Sequence, residues 1–347
     1  MANPRSADPG PSTGHVGGSF YDPPMEARLA SALELTSSQR RTLDGLIGTA
    51  ERPLFPSDLV PRLRDRIEEA ARAFELPEPL RLGKSNLSDL GRCPGLFDAV
   101  RAGERGPFAF TARFAAGRLA HKAVELEVAG RIDRDPHGLV EEAADRLTED
   151  DAFDAYWESL DSLRRDEALM EAAKILELFR ATLPPLRRMR RDLAPSTEWH
   201  VRAALLGGSL VLSGTLDLVL GAAQLGEPAR AARLAIDLKT GRAWPEHAED
   251  MRFYALLLAL RFGVPPYRVA TLYLDSGEWQ AEDVEARMLG RAADRVIDAV
   301  RAAAASQAGR AAPLRPGPYC RWCPRSLTCP SSTVASTVAS TALTEEG

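Results

Sequence analysis

Asp237 and Lys239 stand two residues apart in Ala235-Ile236-Asp237-Leu238-Lys239, a run whose apolar character predicts a strand. On a strand, residues two apart project from the same face, so an acid and an ammonium meet at one point. Asp217 lies in Gly214-Thr215-Leu216-Asp217 of the preceding apolar run, where a carboxylate needs a partner or a cation. Adjacent strands set Asp217 beside Asp237, and two carboxylates so close repel unless a divalent ion sits between them. Hard oxygen ligands suit Mg2+ or Mn2+. His121, in the helical run Gly117-Arg118-Leu119-Ala120-His121 with Glu125 one turn later, supplies a third ligand and tilts the preference toward Mn2+. Lys239 would orient the attacking water and offset charge building on a phosphate, which is the chemistry of phosphodiester hydrolysis.

The cysteines are Cys93, Cys320, Cys323 and Cys329, one distant residue and a local C-x2-C-x5-C trio. Without a secretory signal a disulfide set is disfavoured, and a metal centre accounts for all four. Zinc modules bring their ligands as local pairs, unlike this set, whereas iron–sulfur clusters are also held by four thiolates; both metals remain open on the residues alone.

Positioning these side chains requires a particular order of elements. Residues 1–24, rich in Pro, Gly and Ser, and the low-complexity residues 331–347 are expected to be disordered ends. Residues 25–80 read as a helical addition broken at Pro53, Pro56 and Pro61, and the main domain spans 81–330. Within it, Ser88 is placed to cap a short helix, a helix runs over about 111–131, and a long polar helical stretch covers about 137–192. Strands TEWHVRAALL, SLVLSGTLDLVLG and ARLAIDLKTG follow as a meander, then a helix from Glu249, a strand VATLYLDSGEW and a helix from Ala281. That order is α/β.

The series GRLAHKAVE, TEWHV, SGTLDLVL, AIDLKTG and DMRFYALLLA resembles the motifs of the PD-(D/E)XK nuclease superfamily, RecB-like branch. The resemblance implies a restriction-endonuclease-like core, a mixed central sheet flanked by helices, here with a helical N-terminal addition and a helical insertion. It implies metal ligands at His121, Asp217 and Asp237, catalytic assistance from Lys239, a supporting acid at Glu198 and a site tyrosine at Tyr254. Where the family has a glutamine four residues before that tyrosine, this chain has Asp250, a carboxylate expected to repel phosphate and disturb substrate positioning. Ser88-Asp89-Leu90-Gly91-Arg92-Cys93-Pro94 together with CRWCPRSLTCP resembles the iron–sulfur form of the domain found in AddB-type subunits and CRISPR-associated exonucleases. That favours a [4Fe–4S] cluster over Zn2+, serving as a staple between the start and end of the fold.

The activity so implied is metal-dependent hydrolysis of DNA, on ends or single strands, in repair, recombination or defence. The alternatives are a catalytically weak or inactive subunit binding DNA or protein, and an RNA- or phage-directed endonuclease. Gly83-Lys84-Ser85 resembles the end of a phosphate loop, but Glu78 replaces its first glycine and no preceding strand is predicted, so any unwinding falls to a helicase or other partner. The run Arg187–Arg191 is read as a solvated helix end and the dispersed tryptophans as core. A net charge of −5 excludes a globally basic coat but not a confined basic groove. No apolar run reaches membrane-spanning length and no leader is evident, so the expected location is cytoplasmic, away from membranes.

Overall fold

In the computed structural model, residues 34–332 are described, apart from 49–51, 75, 77–78, 108–110, 131 and 222–229. The described residues belong to the unit Leu35–Gly347, apart from Glu34 of the other unit, Met1–Glu34. The expected disordered ends therefore lie outside the described residues, except for Ser331 and Ser332.

Among the described residues six strands form one mixed sheet: β1 Leu80–Leu82, β2 Ser196–Leu205, β3 Leu210–Leu220, β4 Leu234–Lys239, β5 Arg268–Tyr273 and β6 Glu278–Asp283. Strand β3 is its organiser. Antiparallel β2 covers one edge of β3 from Ser196↔Val219 to Leu205↔Leu210. The opposite edge is shared, with parallel β1 on Leu210–Leu212 and antiparallel β4 on Leu218–Leu220. Between those two pairings the strands diverge and leave a wedge along Ser213–Asp217. Parallel β5 continues from β4, and antiparallel β6 closes the order.

The helices follow local signals in the sequence. Before the sheet come α1 Ser37–Arg41, a π-helical turn Thr42–Ile47 and α2 Leu59–Arg72, the last burying Leu59, Leu63 and Ile67. Helix α3 Lys84–Arg92 runs into α4 Pro94–Arg101, and α5 Ala112–Ala129 is capped by Thr111, which accepts the Phe114 N–H. The long polar stretch resolves into α6 Pro136–Leu147, α7 Asp151–Glu158, α8 Ser162–Thr182 and the short α9 Arg190–Leu193. An aspartate starts each of the first three: Asp135, Asp150 and Asp161 accept the N–H groups of Gly138, Ala152 and Arg164 at 2.9, 3.0 and 2.9 Å. Helices α10 Pro245–Phe262 and α11 Ala286–Gln307 share a core with α2 and the sheet, in which Tyr254, Phe253, Leu257, Leu289 and Val296 are buried.

Three local expectations are corrected. Ser88 does not start a helix: α3 begins at Lys84, where Asn86 Oδ1 accepts the Gly83 N–H at 2.8 Å and closes the turn. A short strand, β1, does precede Gly83-Lys84-Ser85. The run after Val269 is a β5–β6 hairpin, not one strand followed at once by a helix. Gly277, at φ 69°, turns the chain, Leu272 pairs with Trp279, and α11 waits until Ala286.

No helix among the described residues is long and apolar enough to cross a membrane.

Candidate functional site

Interpolating the β2–β3 register between Thr197↔Leu218 and Trp199↔Leu216 places Glu198 opposite Asp217, and extending the β3–β4 register by one residue places Asp217 opposite Asp237. Thr271 on β5 then pairs with Asp237. Three carboxylates thus form a row across three strands, where the β3–β4 ladder ends. Asp217 bridges the start of the divergence, its Oδ2 accepting the Leu238 N–H at 2.7 Å. Glu198 is held at φ 47°, in the left-handed region that non-glycine residues rarely adopt, a strain of the kind concentrated at functional positions.

Helix α5 approaches the row because Gly117 has no side chain: a Cβ there would stand 2.7 Å from Thr240 Oγ1. His121, one turn later, faces the same cleft. That cleft, of about 720 Å³, is lined by His121, Glu125, Glu198, Asp217, Lys239 and, from the α6–α7 insertion, Asp150. Its rim pairs opposite charges: Arg118 lies 3.0 Å from Asp150, and Lys122 pairs with Glu125.

Asp237, only 2% exposed, lies beneath the cleft. Lys84 donates to its Oδ1 at 2.7 Å, and Lys239 stands 2.6 Å from Oδ2. The second approach is an ion pair that leaves the buried Oδ2 without a hydrogen bond of its own. Burial pushes the Asp237 carboxyl up, yet the two ammoniums more than offset it and hold the group below the usual carboxylate range. Asp217 goes the other way, raised by burial and by the charge of Asp237. Partial burial and then Asp217 raise Glu198. Burial holds the His121 imidazole low, against the pull of Asp217, and so favours its neutral, ligating form.

Tyr254 stands apart from the cleft. Its ring is 2% exposed in the wedge, its hydroxyl donates to the Thr215 carbonyl, and burial pushes its pKa up to about 12. Gly214 makes room for that ring, since a Cβ there would sit 2.7 Å from Tyr254 Cε1. Asp250 is likewise engaged elsewhere, accepting from Ser88 Oγ at 2.8 Å. Lys84 was the missed member. The sequence signal that marks it is its rarity, one of only four lysines in the chain. The expected solvated run Arg187–Arg191 is partly engaged: Arg188 pairs with Asp133, and Arg190 donates to the Val128 and Ala129 carbonyls at the end of α5.

All four cysteines are free thiols lining a second cavity, of about 50 Å³. Backbone N–H groups of Arg315 and Gly317 point at Cys93 Sγ and Cys320 Sγ, each at 3.4 Å. Burial first, then its neighbouring thiols, raise the Cys323 thiol. Independent of any metal, Tyr319 OH donates to the Arg92 carbonyl at 2.8 Å and Arg325 forks onto Glu104, fastening the C-terminal segment to the α3–α4 region. Among the described residues, no group of three or more His, Cys, Asp or Glu side chains stands ready to hold a metal ion as placed. What fits a divalent cation is the donor chemistry of the carboxylate row and the buried Oδ2 of Asp237, which has an ion-pair neighbour but no hydrogen bond.

No curated protein matches the chain. Among solved structures, one described as "Crystal structure of SSO0001" is similar at 14% identity and a TM-score of 0.29, covering 62% of this chain and 95% of that one; a likeness this low carries no argument. The family comparison matches residues 81–330, the span that holds the sheet, the carboxylate row and every cysteine. The chain belongs to the PD-(D/E)XK nuclease superfamily.

Proposed function

We propose that this chain is a metal-dependent nuclease of the RecB-like branch, hydrolysing DNA at ends or in single-stranded regions. The observation that carries this reading is the row Glu198–Asp217–Asp237, with Lys239 beside it, at the floor of an open cleft. Asp217 and Asp237 would hold Mg2+ or Mn2+, with His121 as a nitrogen ligand. Such a cation, when bound, acidifies water and polarises a phosphoryl oxygen. Lys239 offsets negative charge near the scissile phosphate, and Glu198 at the rim supports the row. Tyr254 contributes by filling the wedge, so its part is positioning.

The loop after Lys239 supports a single-stranded substrate. Trp244 is 48% exposed at the start of α10, and the Arg242 guanidinium lies 4.1 Å from its ring centroid. A cationic aromatic platform of this kind suits an unpaired base and its phosphate. In this reading residues 81–330 are the nuclease domain, residues 25–80 its helical addition, and the four cysteines hold a [4Fe–4S] cluster as a staple, with zinc the competing metal. A helicase partner would supply the strands.

The deciding experiment incubates the protein with 5′- and 3′-labelled single- and double-stranded DNA and Mg2+ or Mn2+, beside Asp237→Ala and Lys239→Ala. Cleavage by wild type and its loss in both variants is expected. Equal cleavage by all three would overturn the catalytic assignment, and no cleavage by wild type would instead indicate a binding subunit. For the cysteines, brown protein that bleaches in Cys323→Ser indicates iron, and colourless zinc-containing protein overturns that assignment.

A further inference from the structure

Lys84 is the feature of the site that the hydrolysis reading leaves unused. It is the first residue of α3, delivered by β1 through the wedge of the sheet. Gly83 permits the crossing, because a Cβ there would already stand 3.1 Å from the Ser213 carbonyl oxygen. The ammonium ends 2.7 Å from Asp237 Oδ1 and 5.1 Å from the centroid of the Tyr254 ring, with the side chain 28% exposed. Lys239 already accompanies Oδ2 of the same carboxylate at 2.6 Å. Asp237 therefore carries an ammonium at each oxygen, although only one of the two comes from its own D-x-K strand.

A buried carboxylate beside a second one is costly unless positive charge is near. A divalent ion supplies that charge when bound, but the protein must fold and persist without it. A lysine from another element is suited to the interval: it is a compact point charge on a flexible stem and can withdraw without disturbing the backbone. The Tyr254 ring gives the displaced ammonium a nearby face to rest on.

We propose that Lys84 is a resident counter-ion of Asp237, holding Oδ1 in the metal-free protein and giving it up to the divalent cation. It is a positioning residue that sets the metal affinity of the site. The inference rests on the metal-site part of the proposed function and needs no cleavage to be tested.

Lys84→Met keeps the length of the stem and its contact with Tyr254 while removing the charge. Calorimetric titration with MnCl2, without nucleic acid, should show the variant binding about tenfold more tightly than wild type, because the ion no longer competes with an ammonium. The metal-free variant should melt several degrees lower, and Mn2+ should raise its Tm by more than it raises that of wild type. Adding Asp237→Asn should remove most of the metal-free penalty, since a neutral amide needs no counter-ion. Unchanged or weaker Mn2+ binding by the variant, with wild type binding normally, overturns the proposal and leaves Lys84 as a staple of the fold. Equal melting of wild type and variant without metal overturns it as well. Absence of Mn2+ binding in both proteins overturns the metal-site reading beneath it.

Discussion

The Leu238 amide donates to Asp217 Oδ2 across 2.7 Å, so a side chain takes over from the backbone where the β3–β4 ladder gives out. One carboxylate oxygen is thereby fixed by the fold, and the orientation of Asp217 does not wait for a metal.

That arrangement sets Asp217 beside Asp237, whose charge raises the Asp217 carboxyl further after burial has already done so. Asp217→Asn should therefore raise the metal-free melting temperature by a few degrees, since the amide oxygen can still accept from Leu238 while the repulsion is gone. The same variant should lose the Tm increase that Mn2+ gives wild type. Thermal melts with and without MnCl2 check both halves; a metal-free Tm below that of wild type would contradict the first.

Gly117 sets the distance between α5 and the end of β4. Gly117→Ala should push His121 from the cleft, weakening Mn2+ binding at least several-fold and costing about 1–3 kcal/mol of stability by overpacking. Adding Thr240→Ala removes the atoms that a new Cβ would meet and should restore much of both. Calorimetry on the single and double variants gives the answer.

Trp244 and Arg242 bear on substrate rather than on metal. Trp244→Ala should weaken binding of a single-stranded oligonucleotide by about 1–3 kcal/mol, measured by fluorescence anisotropy in Ca2+ to suppress cleavage. Duplex binding and melting temperature should change far less, because the ring is half exposed with a guanidinium over its face.

The Arg325–Glu104 pair gives the C-terminal fastening a pH signature. Hydrogen bonding from Arg325 holds the Glu104 carboxyl below its ordinary value. A depressed acid stabilises the fold above its unfolded value and loses that contribution as pH falls through its folded one. Hydrogen exchange in residues 318–329 should accordingly accelerate as pH drops below about 4.5, relative to Glu104→Gln, whose protection at neutral pH is already reduced and carries no such step. Parallel profiles in the two proteins would show that the pair does not fasten the segment.

Much of this molecule was legible beforehand because its signals are local. The 3.6-residue spacing of α5, the paired apolar runs of β2 to β4, and the D-x-K alternation all follow from neighbours in sequence, as does the expectation that Asp217 and Asp237 stand side by side, whereas Glu198 was expected only through the family resemblance. The hairpin after Val269 was less legible, since Glu278–Asp283 is a polar edge strand whose pairing with β5 depends on a partner, not on its own pattern.

Sequence alone determined the order in which the chain presents its candidate side chains, His121, Glu198, Asp217, Asp237 and Lys239, but not Lys84 among them. Tertiary structure decided what each is committed to: Asp250 to Ser88, Tyr254 to the Thr215 carbonyl, and Lys84, from the far end of the domain, to Asp237. The physical reason is the wedge. Whether two strands sharing one edge of β3 meet or diverge depends on long-range pairing, and what fills the gap comes from other elements, Tyr254 lying 39 positions from Thr215 and Lys84 lying 153 positions from Asp237.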